Sequence, residues 1–134
     1  MEIPTLFLLS VTPIYIALLG LLFLPFTLRV GFYRVKNQIN LGDGGDADMI
    51  KRIRGQGNFV ETVPLALVLL LAMELMGASD IWLHALGATL VIGRLLHYLS
   101  ITELGPFVGR PIGMFATLGV YIIAPIWILV DLFV

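Results

Sequence analysis

The residues that could do chemistry are a few charged and polar side chains within long apolar segments. Arg54, Asn58 and Glu61 are spaced four and three residues apart, which places all three on one face of a helix. Arg94 and His97 are three residues apart in a later apolar segment, so they also share a face. Ionisable groups at membrane depth cost several kcal/mol unless they are paired or solvated, so these residues are candidates for a functional site.

The balance of charge among these residues indicates an anionic ligand. Arg54, Arg94 and Arg110 outnumber the one nearby carboxylate, Glu61, whereas structural ion pairs seldom need such an excess. Any single pair could instead only join helices. Arginine binds carboxylates through two parallel hydrogen bonds, and a glutamate carboxylate can accept hydrogen bonds from an amino group. Tyr98 lies at the edge of the face that carries Arg94 and His97. The pattern therefore predicts a ligand that carries both carboxylates and a cation.

The composition places these residues in a membrane protein. The chain has 134 residues, of which 59% are hydrophobic and 13% charged, and its mean hydropathy is +1.01. A soluble domain usually has about a quarter of its residues charged. The absence of cysteine excludes a disulfide framework and a thiol nucleophile from the protein itself. With a net charge of −1, nucleic acid is not an expected partner, and no metal site is expected.

The apolar segments predict an all-α, integral membrane four-helix bundle that forms a single domain over residues 1–134. Asp46 or Asp48 is expected to cap the second helix. Pro13 and Pro25 are expected to bend the first helix, and Glu74 is expected to lie in solvent at the far end of the second. The predicted helices cover about residues 3–28, 48–75, 81–100 and 112–131.

The basic residues predict the orientation of the bundle. Six of the eight lie between Arg29 and Gly57, and Arg94 and Arg110 lie beside the third connection. Because basic residues concentrate on the cytoplasmic side, the first and third connections are expected there, with both termini on the other side. The two polar faces then meet near the cytoplasmic surface.

Three motifs in order resemble a known family over essentially the whole chain. They are Arg54-Gly-Gln-Gly-Asn58-Phe-Val-Glu61, Gly93-Arg94-Leu-Leu-His97-Tyr98, and Arg110 sixteen residues after Arg94. The chain resembles the MAPEG family, the membrane-associated proteins in eicosanoid and glutathione metabolism, and is most similar to its compact bacterial members.

The resemblance implies a homotrimer that binds glutathione between neighbouring subunits near the cytoplasmic face. Glutathione would be the cosubstrate, with Arg110 as the catalytic residue facing its sulfur and Arg34 reaching in from a neighbouring subunit. The residues that the resemblance assigns to glutathione binding are Arg34, Arg54, Gln56, Asn58, Glu61, Arg94, His97 and Tyr98.

The function that the resemblance implies is a membrane-bound glutathione transferase or peroxidase. It would act on lipophilic electrophiles or lipid hydroperoxides that arrive through the membrane lipids. Ile101 and Pro111 depart from the pattern of prostaglandin-forming members, which favours a general transferase or peroxidase. The alternative is a non-catalytic lipid-binding protein of the same fold. A small exporter of cationic drugs would need a carboxylate in helix one, and residues 3–28 contain none.

Overall fold

A computed structural model describes residues 9–134, and in that range the chain forms four helices. They are α1 (Thr12–Asn37), α2 (Ala47–Leu75), α3 (Asp80–Ile101) and α4 (Gly109–Phe133). Short connections reverse the chain between helices. The start of α2, the end of α3 and the start of α4 therefore lie at one end of the bundle.

The helices do not all touch one another. Helices α2 and α3 pack together at the centre, α1 packs against both of them, and α4 packs against both of them without contacting α1. The central α2–α3 pair therefore has two covered sides, an α1 side and an α4 side. The buried core of large apolar side chains includes Leu19, Leu70, Met73, Leu83 and Leu90.

Three of the helices are long and apolar enough to cross a membrane, namely α1, α2 and α4. Helix α3 was also expected to span the membrane, but among the helices of residues 9–134 it is not one of those long and apolar enough to do so. Its sequence carries Arg94 and two histidines, His84 and His97, which lower its mean hydropathy. Arg94 and His97 are shielded from lipid because α3 packs against all three of the other helices, whereas His84 is exposed near the start of α3.

The first helix differs from its prediction. It was expected over residues 3–28, of which 3–8 lie outside the described residues, and it begins at Thr12 and continues to Asn37. Pro13 lies in its first turn, where a missing N–H costs nothing, while Pro25 is accommodated inside the helix. The helix continues past the apolar run because Arg34 and Lys36 suit the last turn, where cations face unpaired carbonyls.

The other three helices begin and end close to the expected positions. Asp46 caps α2, since its Oδ1 accepts from the Met49 N–H at 2.9 Å. This backbone hydrogen bond holds the pKa of the Asp46 carboxyl below its usual value. Gly42, Gly44 and Gly45 all have positive φ in the α1–α2 connection, which side chains disfavour.

Glu74 is not in solvent as the sequence led us to expect. It is 9% exposed, and its carboxylate accepts hydrogen bonds from the backbone N–H groups of Ser10, Val11 (2.7 Å) and Thr12 (2.7 Å). Unpaired N–H groups at a helix start attract an anion, and here the anion comes from the neighbouring helix. Glu74 therefore joins the end of α2 to the start of α1.

We expect Glu74→Gln to destabilise the protein by about 2 kcal/mol, because the amide keeps one acceptor and turns a donor towards backbone donors. The check is the midpoint of thermal unfolding of the detergent-solubilised protein. Asp131→Asn is the matched control, since Asp131 is exposed near the end of α4. Equal midpoints for both variants would contradict the role of Glu74 as the anion that caps α1.

Candidate functional site

The centre of the candidate site is Arg94, which is 2% exposed. Its Nη1 donates to Asn58 Oδ1 and to Thr62 Oγ1 (3.2 Å) on α2, and its Nη2 donates to the Gly113 carbonyl on α4 at 2.6 Å. One guanidinium thus joins α2, α3 and α4. All of these acceptors are neutral, so the positive charge of Arg94 remains uncompensated among residues 9–134.

Arg94 also has one N–H donor without an acceptor. Within the described residues, its Nε is the buried side-chain polar atom that has no hydrogen-bond partner. A buried polar group without a partner is costly in apolar surroundings. An anionic group beside Arg94 would satisfy this donor and balance the charge.

A cavity of about 90 Å³ lies beside Arg94 on the α4 side of the central pair. His97, which is 4% exposed, lines it together with Asn58. Tyr121 from α4 also lines it and donates its hydroxyl to the Thr62 carbonyl at 2.6 Å. The cavity therefore combines donors and acceptors from all three helices.

Two glycines determine how closely α4 approaches α3. A Cβ on Gly93 would lie 2.8 Å from Ala116 Cβ, and one on Gly113 would overlap the Gly93 carbonyl and lie 2.7 Å from His97 Cβ. Small residues let membrane helices pack backbone to backbone. This contact brings the Gly113 carbonyl within reach of Arg94.

Arg54 and Arg110 line a second, open depression of about 310 Å³ at the same end of the bundle. Both arginines are exposed. Asn58 follows Arg54 by one helical turn, which links this depression to the cavity beside Arg94. In the described part of the chain, the ion pairs are those of Lys51 with Asp48 (3.4 Å) and Glu103 (2.7 Å), so neither arginine has an acidic partner.

Glu61 lies one turn beyond Asn58 on α2 and is exposed. It is part of the span of α2, and its neighbour Val60 is 48% exposed. A carboxylate on the outer surface of a span is costly in hydrocarbon. A polar group beside Glu61 would lower this cost.

Three of the residues assigned by resemblance face elsewhere in the subunit. Gln56 donates to Thr27 Oγ1 on α1 at 3.0 Å, and Tyr98 stacks on Phe26 with ring centroids 3.5 Å apart. Both lie on the α1 side of the central pair, away from Arg94. Arg34 donates to the Gly42 carbonyl at 2.7 Å in the α1–α2 connection. Within one subunit the structure brings none of the three to the cavity.

Sequence reasoning did not assign several polar groups of the cavity. Thr62 had a usable signal, because it follows Asn58 by four residues and so lies on the same face. Thr117 lines the cavity and donates to the Gly113 carbonyl at 2.9 Å, and Tyr121 follows it by one turn. The spacing of Thr117 and Tyr121 on α4 did not indicate that they would face the polar side chains of α2 and α3.

Comparison with known proteins identifies the family of the chain. The model of the MAPEG family matches residues 12–130, which include all four helices up to the last turn of α4. The chain belongs to the MAPEG family. It is 40% identical over 88 residues to the inner membrane protein YecN from two Escherichia coli strains, K12 and CFT073, a match that covers 66% of this chain and 67% of YecN. This MAPEG protein is a multi-pass integral membrane protein.

In this MAPEG protein, Arg94→Lys should reduce stability by about 3 kcal/mol, because a lysine ammonium cannot reach acceptors on two helices in the way that the planar guanidinium does. Thermal unfolding in detergent measures the loss. Arg110→Lys is the matched control, since Arg110 is exposed and has no ion pair within residues 9–134. If both variants unfold at the wild-type midpoint, Arg94 does not join the helices.

Proposed function

We propose that this protein is a membrane-bound glutathione transferase or peroxidase that stabilises glutathione as its thiolate. The observation that carries the proposal is the set of three arginines, Arg54, Arg94 and Arg110, which has no acidic partner in the described chain and lies at one end of the bundle. Membership of the MAPEG family, some members of which are glutathione transferases, supports it.

The residues of this end fit the chemistry of glutathione, a tripeptide with two carboxylates, one amino group and one thiol. The guanidinium groups of Arg54 and Arg94 provide donors for carboxylates, including the unpartnered Nε of Arg94. Glu61 provides an anion for the amino group. Asn58 and His97 add neutral polar groups in the cavity.

The outer position of Glu61 and of the arginines supports a homotrimer in which a neighbouring subunit completes the site. Glu61, Arg54 and Arg110 are all exposed in a single subunit. A neighbour would remove them from lipid and could supply Arg34 from the end of its α1. In the same proposal, both termini lie on the non-cytoplasmic side, because the basic residues cluster at the opposite end.

When bound, glutathione supplies the nucleophilic sulfur that this cysteine-free chain lacks. A free thiol has a pKa near 8.5 and is mostly protonated at neutral pH, so the protein must favour the anion. The Arg110 guanidinium does so by placing a fixed positive charge beside the sulfur, and the proton leaves to solvent through the open depression. The remaining arginines and Glu61 hold the tripeptide in place.

A lipophilic cosubstrate can enter from the bilayer into an apolar groove on the α1 side of the central pair, the side away from Arg94. This groove of about 350 Å³ lies between α1 and α2, lined by Phe23, Phe59, Val63 and others. The groove also favours a second candidate, a non-catalytic lipid-binding protein that holds an acyl chain there. The two candidates differ in whether glutathione binds and loses its thiol proton.

Arg110→Ala should leave the affinity for glutathione largely intact and raise the pKa of the bound thiol by about two units. The measurement is the ultraviolet difference absorbance of thiolate during glutathione titration of the detergent-solubilised protein at neutral pH. Arg110→Lys keeps the charge and should retain part of the signal. A full thiolate signal in Arg110→Ala would remove Arg110 from this role, and wild-type protein that binds no glutathione would favour the lipid-binding candidate.

Glu61→Gln should weaken glutathione binding about tenfold, because the amide loses its charge-assisted contact with the ligand's amino group. Calorimetric titration measures the affinity. An analogue of glutathione that lacks the amino group provides the control, since wild type and Glu61→Gln should bind it equally. A variant that weakens both ligands by the same factor would show that Glu61 acts on the fold and not on the amino group.

A further inference from the structure

A second group of cations lies at the same end of the bundle but on the other side of the central pair. Arg29, Lys36 and Arg52 line a depression of about 230 Å³ together with Phe32 and Tyr33. We name these five residues the basic patch. Its residues belong to the last turns of α1 and the first turns of α2, whereas Arg54 and Arg110 line a separate depression on the α4 side.

Neutral groups hold the two arginines of the basic patch in place. The Arg52 guanidinium lies over the Tyr33 ring, 4.0 Å from its centroid, and its Nη1 donates to the Asp48 carbonyl at 2.9 Å. Arg29 donates its Nη1 to the Tyr98 hydroxyl at 3.2 Å. The arginines are therefore oriented without a carboxylate being bound to either of them within the described range.

One carboxylate, that of Asp46, contacts the basic patch through Tyr33, so the three cations outnumber it, whereas the Asp48 carboxylate pairs with Lys51 outside the patch. The Asp46 carboxylate accepts from the Tyr33 hydroxyl at 3.1 Å and from the Met49 N–H, while Asp48 lies 3.4 Å from Lys51 Nζ. The ion pairs formed by residues 9–134 are those of Lys51. The three cations of the patch thus keep an excess of positive charge.

An exposed apolar stripe on α1 leads directly to the patch. Leu24, Leu28 and Phe32 are 56%, 43% and 69% exposed and follow one another at intervals of four residues, and Lys36 comes four residues later. Residues at this spacing lie one above another on a helix. The surface therefore runs from exposed apolar side chains to a cation along one i,i+4 row of the helix.

We propose that the basic patch binds the phosphate of an anionic phospholipid, with an acyl chain along the stripe from Leu24 to Phe32. The lipid belongs to the leaflet on the side of the α1–α2 connection. Guanidinium and ammonium groups recognise phosphate oxygens, and basic pockets between membrane helices bind anionic headgroups. The continuous apolar stripe favours a lipid over a soluble phosphate, since only a lipid contacts both parts.

The test is native mass spectrometry of the detergent-solubilised protein with phosphatidylglycerol and with phosphatidylcholine that has the same acyl chains. Wild type should retain phosphatidylglycerol preferentially, and Lys36→Ala should weaken that binding about fivefold. Lys36 is exposed near the end of α1, so this variant should unfold at the wild-type temperature. Phe32→Ala should weaken the retention of both lipids, because both contact the stripe through an acyl chain.

Lys51→Ala is the matched control, because it removes the same charge at the same end of the bundle from a residue that is already ion-paired. It should retain phosphatidylglycerol as wild type does. Equal retention of the two lipids by wild type, or an equal loss in Lys51→Ala and Lys36→Ala, would overturn the proposal. Displacement of phosphatidylglycerol by millimolar inorganic phosphate would also overturn it and indicate a site for free phosphate.

Discussion

The close approach of α3 and α4 at Gly93 and Gly113 is the constraint on which the candidate site depends. Any side chain at Gly113 would overlap the Gly93 carbonyl, and one at Gly109 would lie 2.7 Å from the Leu96 carbonyl. With the backbones this close, the Gly113 carbonyl can accept from Arg94 at 2.6 Å. Neutral oxygens thereby hold a buried cation that has no carboxylate partner among residues 9–134.

The arrangement of the helices separates two kinds of chemistry. On the α1 side of the central pair, Tyr98 packs against Phe26 and accepts from Arg29, so aromatic contacts cover this face of α3. On the α4 side, Arg94 and His97 face a cavity. Because α1 and α4 do not touch, each packs on its own side of the central pair. The two cationic depressions of this end therefore lie on different sides of that pair.

The four helices and the central residues of the candidate site could be predicted from the sequence, because both follow from helical spacing. The pairs Arg54 with Asn58 and Arg94 with His97 lie three or four residues apart, and the reversal of the chain then brings them to one end. The same rule explains why Gln56 faces elsewhere, since it is two residues from Arg54 and so lies on the opposite side of α2. Tyr98 is adjacent to His97 and is turned away from it for the same reason.

The features that could not be predicted involve backbone partners. Backbone N–H groups have no residue signature, so nothing in the sequence marks the start of α1 as the place where Glu74 binds. The sequence likewise does not indicate that the Gly113 carbonyl accepts from Arg94, because this contact depends on how α3 packs against α4.

The two ends of the bundle differ in how fully their polar groups are paired. At one end, Glu74 accepts from the start of α1, and the Tyr15 hydroxyl lies 2.8 Å from His84 Nδ1, so these polar groups are satisfied within the subunit. At the other end, the guanidinium groups of Arg54 and Arg110 are exposed. Polar groups that are satisfied internally fix the helices, whereas groups left exposed at the edge of a membrane need an external partner. The polar groups of one end thus fix the helices, whereas Arg54 and Arg110 at the other end form no ion pair within residues 9–134.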